Sequence, residues 1–386
     1  MSPARVRIRR LLVQLGFAIG RLLPVRHHVV LATSHAASLS GNLAWIRDEM
    51  VARGLRPRLT VLASDIVRGR RGRVRAGLLA IRDGWWLARA SLVIVDDYYF
   101  PMYVIRPRPD TRRIQVWHAC GAFKKFGYSV LDKSFGMDDA SVARQAIHTN
   151  YDLCLVSAMR FAPHYAEAFR QPLDRFTSAL GIPRTDLFLD PRRRAAAEAE
   201  VRARYAIPEG RRVILYAPTF RGDRISQART PEQLDLAAMR AALGEDHVLL
   251  VRVHPFARDR FRLGPEHAGF AIDVSDHPDI NALMLVSDIL VTDYSSAMYE
   301  FSLLERPIAF FAPDQADYDL ERGFYLDWPA DLPGPVFETT EALARHLRAG
   351  SFDLGRVRRF RDASFDVADG HATERFVDRE VMPALG

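Results

Sequence analysis

Two cysteines, Cys120 and Cys154, in 386 residues cannot make a disulfide framework, and no Cys or His cluster has zinc-ligand spacing. A reducing, cytoplasmic setting fits that poverty. Lysine is scarcer than the charge suggests: among 54 Lys and Arg only Lys124, Lys125 and Lys133 are lysine, all directly after Trp117-His118. No apolar run reaches the roughly 20 residues that span a bilayer. The first, Leu11 to Leu23, is interrupted by Gln14 and Arg21 and is followed by no small-residue cleavage site, so it reads neither as a membrane span nor as a signal peptide. A Gly-x-Gly-x-x-Gly after the first strand and a Gly-Lys-Ser/Thr are also missing, which argues against dinucleotide dehydrogenases and P-loop NTPases. Without low-complexity tracts or short repeats, solenoids and disordered arrays are unsupported.

What is present is 48% apolar residues, enough for two cores of about 150 to 200 residues each. A net charge of +7 suits a polyanionic partner: nucleic acid, an anionic membrane or a phosphate-rich substrate. Short β-branched runs alternate with amphipathic stretches, the pattern of parallel sheets covered by helices. Strands are expected at His28–Thr33, Arg58–Leu62, Leu92–Val95, Ile114–Trp117 and Leu153–Ser157, with helices at Leu43–Ala52, Leu78–Ala90 and Ala158–Phe169. After a connecting helix at Pro191–Tyr205, a second Rossmann-like unit has strands at Val213–Tyr216, Val248–Val253, Phe270–Val274, Ile289–Thr292 and Pro307–Phe311.

Open sheets of this kind bind ligands beyond the carboxyl ends of their strands. Four polar clusters stand there. Trp117-His118 offers a histidine whose ordinary pKa of about 6.5 suits a general base. Thr219 and Arg221 follow the strand at 213–216. Arg252 and His254 point to one side of their strand, where they can neutralise a diphosphate or simply form a satisfied buried pair. Asp293-Tyr294-Ser295-Ser296 opens a helix expected at Ala297–Leu304; it can hold a phosphate or merely cap the helix. Asp96-Asp97 ends a strand and reads as two solvated acids sooner than as a metal site, for want of a third ligand. The lysine cluster suits a phosphate as mobile point charges.

Taken in order, Gln115-Val116-Trp117-His118 with Lys124-Lys125, Gly181-Ile182-Pro183-Arg184-Thr185-Asp186, Tyr216-Ala217-Pro218-Thr219-Phe220-Arg221-Gly222, Arg252-Val253-His254-Pro255-Phe256 and Thr292-Asp293-Tyr294-Ser295-Ser296 resemble the CDP-glycerol glycerophosphotransferase family of teichoic acid synthesis. Pro307, Arg322-Gly323-Phe324-Tyr325, Asp369-Gly370 and Glu374-Arg375 continue the likeness over residues 90–380. The resemblance implies a GT-B architecture of two Rossmann-like domains facing a cleft, with a C-terminal helix crossing back. The expected division is residues 1–26 as a basic amphipathic segment at a membrane surface, 27–187 as an acceptor domain, 188–365 as a donor domain and 366–386 as the crossing helix.

It further implies transfer of glycerol or ribitol phosphate from CDP-glycerol or CDP-ribitol to a lipid-linked acceptor, releasing CMP, with no metal, no cofactor and no nucleic-acid partner, at the inner face of the cell membrane. His118 would be the base and His254 the diphosphate partner. Thr219, Arg221, Arg252, Asp293, Ser295, Ser296 and Glu300 would bind the donor, Glu300 through the ribose. Lys124, Lys125 and Arg184 would bind acceptor phosphate. Independently of the resemblance, Arg5, Arg7, Arg9 and Arg10 before an apolar stretch, and Arg68 to Arg75 before Trp85-Trp86, suit an anionic membrane. The competing readings are a GT-B glycosyltransferase using a nucleotide sugar and a non-catalytic binder of anionic polymer.

Overall fold

The β-branched and leucine-rich runs form two six-stranded parallel sheets, and the segments between them return the chain along the sheet faces, as parallel pairing requires. The computed structural model describes residues 3–34, 37–63, 69–131, 147–221, 234–254, 261–316, 318 and 323–386. Lys133, Gly222, Pro255, Phe256, Arg322 and part of the Arg68–Arg75 run lie outside the described residues.

The first sheet contains β1 (Arg26–Ala32), β2 (Leu59–Leu62), β3 (Ala90–Val95), β4 (Arg112–Gln115), β5 (Leu153–Leu155) and β6 (Phe176–Thr177), ordered β2-β1-β3-β4-β5-β6. The second contains β7 (Arg212–Ala217), β8 (His247–Val251), β9 (Ala271–Asp273), β10 (Ile289–Thr292), β11 (Ile308–Phe311) and β12 (Val336–Phe337), ordered β12-β11-β10-β7-β8-β9. The first is flavodoxin-like and the second has the order of dinucleotide-binding domains. Strand order therefore reverses at β1/β3 and at β7/β10, where crevices open. Alternate residues serve opposite faces: Val213, Leu215 and Ala217 of β7 join one core, while Ile214 and Tyr216 join another beneath the Thr340–Ala349 helix.

β6 and β12, two residues each, were too short to leave a pattern in the sequence. β4 stops at Gln115, short of the expected Trp117, because Trp117 has φ +50, outside the region a strand can use.

The basic N-terminal segment is a helix, Pro3–Arg21, packed backbone to backbone on Gly69–Arg89. A Cβ at Gly16 would lie 2.0 Å from the Ile81 carbonyl oxygen, and one at Gly84 2.0 Å from that of Val13, so only glycine permits this approach. Away from that seam, Ile8, Leu11, Leu15, Ile19 and Leu22 form an exposed stripe at helical spacing, joined by Val74 and Leu78 of the second helix. Trp85 and Trp86, expected at an anionic interface, are half-buried instead, and Trp86 stacks on His28 at 4.7 Å. Among the described residues no helix is long and apolar enough to cross a membrane.

Several contacts join the two halves. Lys125 N–H donates to the Gly323 carbonyl and Tyr325 N–H to that of Phe123 (3.1 and 2.8 Å), with Phe123 stacked on Phe324. The C-terminal segment crosses back: the Asp186 carboxylate accepts from Ala372 and Thr373 N–H (2.9 and 2.8 Å), and Glu380 pairs with Arg112. Gly121, at φ +64, lets the loop after β4 pass against the Tyr299 ring, which an added Cβ would meet at 2.2 Å.

Gly121→Ala is therefore expected to destabilise by about 2–5 kcal/mol, combining backbone strain with overpacking. Gly54→Ala, at φ +74 with open space around it, should show the strain alone, about 1–2 kcal/mol. Equal losses in denaturant titrations would show that the Tyr299 contact is immaterial.

Candidate functional site

β3 and β4 are neighbours in register, Val95 beside Gln115, so the chain ends leaving them, Asp96-Asp97 and Val116-Trp117-His118, emerge side by side. The unusual backbone of Trp117 is held from both directions. Its N–H donates to Gln115 Oε1 (2.9 Å), and Asn42 Nδ2 donates to the carbonyls of Val116 and Trp117 (2.9 Å each). The indole is locked among Tyr98, Phe126, His148 and Phe169. With Trp117 turned inward, His118 faces the cavity, its side chain 50% exposed and its Nδ1 2.9 Å from Asp97 Oδ2.

Asp96 and Asp97 are not solvated acids, as the sequence suggested; both are buried, and Asp97 orients the imidazole. Burial opposes protonation of His118, but attraction to Asp97, the hydrogen bond with it and the charge of Asp96 outweigh burial and raise the pKa above its ordinary value. Since Nδ1 is engaged with the carboxylate, a proton taken from a substrate would go to Nε2.

At the β7/β10 switch point, Asp293 ties the two loops together. It accepts from Thr219 N–H (2.8 Å) and Oγ1 (3.0 Å) and pairs with Arg221 at 2.9 Å. Arg221 also pairs with Asp314, whose burial would raise its pKa but whose bonds to Arg221 and Tyr294 lower it on balance. These three residues, expected on the donor, are thus bonded to one another. They brace the loops under the cavity. Ser295 Oγ accepts the Ala297 N–H (3.2 Å), so the capping explanation holds for it, whereas Ser296 makes no side-chain capping bond.

Between the carboxyl edges of the sheets lies a cavity of about 490 Å³. His118, Asp96 and Arg184 line it from the first half, and Arg252, Ser295, Ser296 and Glu300 from the second. Arg184 and Glu300, expected on acceptor and ribose respectively, form a mutual ion pair with side chains 12% and 3% exposed. Burial disfavours the Arg184 charge, but Glu300 more than offsets it. Arg184 also donates to the His118 carbonyl, and its N–H donates to Asn42 Oδ1 (3.0 Å). Arg252 has a different environment. Its Nε is buried with no hydrogen-bond partner, it makes no ion pair among the described residues, and burial lowers its pKa.

His254 packs on Phe220, ring centroids 4.8 Å apart, and is not in the described lining of this cavity, which Arg252 joins. Lys124 and Lys125 are outside that lining as well. The backbone of Lys124 bridges to Phe324, and its Nζ donates to Tyr318 (3.2 Å). Asp97, Asn42 and Gln115 are the site residues that sequence reasoning missed. The adjacency of β3 and β4 was the signal for Asp97; nothing in the sequence linked Asn42 to a loop about 75 positions later.

Two parallel α/β sheets whose carboxyl edges share one cavity, with a C-terminal segment returning to the first, define a two-domain transferase of the GT-B type. Residues 16–381 match the CDP-Glycerol:Poly(glycerophosphate) glycerophosphotransferase family, and the chain belongs to it. It is 36% identical over 363 residues to the teichoic acid ribitol-phosphate primase of Bacillus spizizenii, covering 93% of this chain and 92% of that protein. It is 34% identical to the teichoic acid ribitol-phosphate polymerase TarK of Staphylococcus aureus, over 96% of this chain and 71% of that one. In fold it is similar to the wall teichoic acid polymerase TagF, with a TM-score of 0.77 at 23% identity, covering 99% of this chain and 93% of that one.

Arg184→Met alone and Glu300→Leu alone should each cost about 3–5 kcal/mol by stranding a buried charge, while the double variant should regain most of it. A double variant as unstable as the sum of the two, in chemical denaturation, would contradict this coupling.

Proposed function

We propose that this chain transfers ribitol phosphate from CDP-ribitol to a terminal hydroxyl of a lipid-linked acceptor at the inner face of the membrane, releasing CMP. The observation that carries the reading is Arg252: a guanidinium without a carboxylate partner among the described residues, in the same cavity as the His118–Asp97 dyad. Such a cation suits a diphosphate, and the dyad suits an acceptor hydroxyl. The hydroxyl proton passes to His118 Nε2 as its oxygen attacks the β-phosphorus, and the bond to the α-phosphate oxygen breaks. Arg252, with the Ser296 hydroxyl, stabilises the charge gathering on departing CMP. Asp97 sets the tautomer, and Asn42 and Gln115 hold the backbone that aims the ring.

Ribitol is favoured over glycerol by coverage. Relatives named for ribitol phosphate match 91–96% of this chain, those named for glycerol phosphate 50–66%. The exposed stripe on the Pro3–Arg21 helix, beside the exposed Arg5 and Arg7, supports peripheral docking on an anionic surface.

The test is product analysis by mass spectrometry with each CDP-polyol and a short lipid-linked acceptor. His118→Ala and Arg252→Ala should each lose about 100-fold or more in turnover; near-normal transfer by folded His118→Ala would overturn the base assignment. The base must be neutral, and its pKa is raised, so the rate should fall as pH drops through a value above about 6.5. In Asp97→Asn the residual rate should show this acid limb moved to lower pH; a limb that stays in place would remove Asp97 from the account.

A further inference from the structure

On the amino edge of the first sheet, opposite the edge that carries His118, lies a second and larger cavity of about 1010 Å³. Its walls hold Arg26, Arg108, Arg112, Arg113, Arg175 and Arg379. Sheet geometry gathers them, since Arg26 opens β1, Arg112 and Arg113 open β4, and Arg175 immediately precedes β6. Three acids face them, and two are already engaged. Glu380 holds Arg112 (2.5 Å), and Asp152 holds Arg113 (2.6 Å) and Arg175 (3.4 Å). Asp110 is the third. Arg26 and Arg379 make no ion pair among the described residues, so the cavity keeps a surplus of guanidinium charge, suited to the forked recognition of phosphate.

Its position indicates where that phosphate comes from. Pro24 and Val25 form part of the wall, and immediately before them Leu22 and Leu23, 83% and 46% exposed, end the apolar stripe. Arg108 fastens the two features together by donating to the Leu23 carbonyl (2.8 Å). A chain that lays this stripe on a bilayer brings the cavity to headgroup depth. We infer that the cavity receives the phosphate of an anionic lipid headgroup, with Arg26 and Arg379 as its principal ligands. This rests on the reading of the stripe as membrane-facing. The cavity would then add an anchor beside the end of the stripe and limit how far the enzyme can roll about the Pro3–Arg21 helix on the surface.

The experiment is co-sedimentation of the full chain with vesicles of phosphatidylcholine alone and of phosphatidylcholine mixed with phosphatidylglycerol. Arg26→Gln/Arg379→Gln should lose about 25-fold in affinity for the mixed vesicles, at roughly fivefold per arginine, and nothing on phosphatidylcholine alone. Arg192→Gln/Arg359→Gln, an equal loss of charge at exposed sites away from the cavity, should change binding less than about twofold. Equal losses in the two pairs, or none in the first, would overturn the site. Leu11→Ser/Leu22→Ser should weaken binding to both kinds of vesicle; if it does so while the first pair is silent, the stripe reading stands and the headgroup site falls. Failure of the unaltered protein to bind any vesicle would overturn both. Inorganic phosphate is the remaining arm: if it raises the melting temperature of the unaltered protein but not of Arg26→Gln/Arg379→Gln, and vesicle binding is the same in both, the ligand is a soluble anion and the lipid assignment is wrong.

Discussion

The buried pair between Arg184 and Glu300 is the contact on which the assembled site depends. Arg184 belongs to the loop after β6 and Glu300 to the helix after β10, so neither half can satisfy its charge alone. An uncompensated charge at that depth is costly, which favours arrangements in which the halves meet in one way. The same guanidinium donates to the His118 carbonyl, and the Arg184 N–H reaches Asn42, which holds Trp117. Closure of the cleft and orientation of the histidine are therefore parts of one bonded network. Gly121 complements it sterically, since its missing Cβ admits Tyr299 into that same junction.

Charge is distributed across the cavity by the same logic. On one side, Asp97 makes His118 a stronger base than an isolated imidazole, and it sits where β3 delivers it. On the other, Arg252 makes no ion pair among the described residues and its buried Nε has no hydrogen-bond partner, which suits it to an entering anion. Neighbouring Arg221, with two carboxylates and an aromatic face at 5.1 Å, is fully occupied and serves the framework. Similar side chains a few positions apart thus do different work because of what surrounds them. The raised pKa of His118 also carries a stability consequence: its attraction to Asp97 stabilises the fold below the unfolded pKa and is lost as pH rises through the folded one.

Much of this was legible beforehand because it follows from periodicity. The alternation of strands and helices, the return of the C-terminal segment and the placing of polar groups at strand ends all rest on local pattern or ordered motifs. What stayed hidden depends on which strands are neighbours. Asp97 looks like a surface acid until β3 is set beside β4. His254 looks equivalent to Arg252 until their different surroundings are seen, and the lysines seemed free until Lys124 was found bridging the halves. The arginines of the second cavity are scattered from position 26 to 379 and form no motif at all. Only the sheet brings them together.

The claim that the fold builds an oriented base on one wall of the cavity can be tested without substrate, by ¹⁵N NMR of the histidine side chains across pH, with His118 assigned by substitution. The account predicts that His118 titrates above about 6.5 and that its neutral form carries the proton on Nδ1, toward Asp97, with Nε2 unprotonated. A His118 that titrates at or below that value, or whose neutral form is protonated on Nε2, would contradict it.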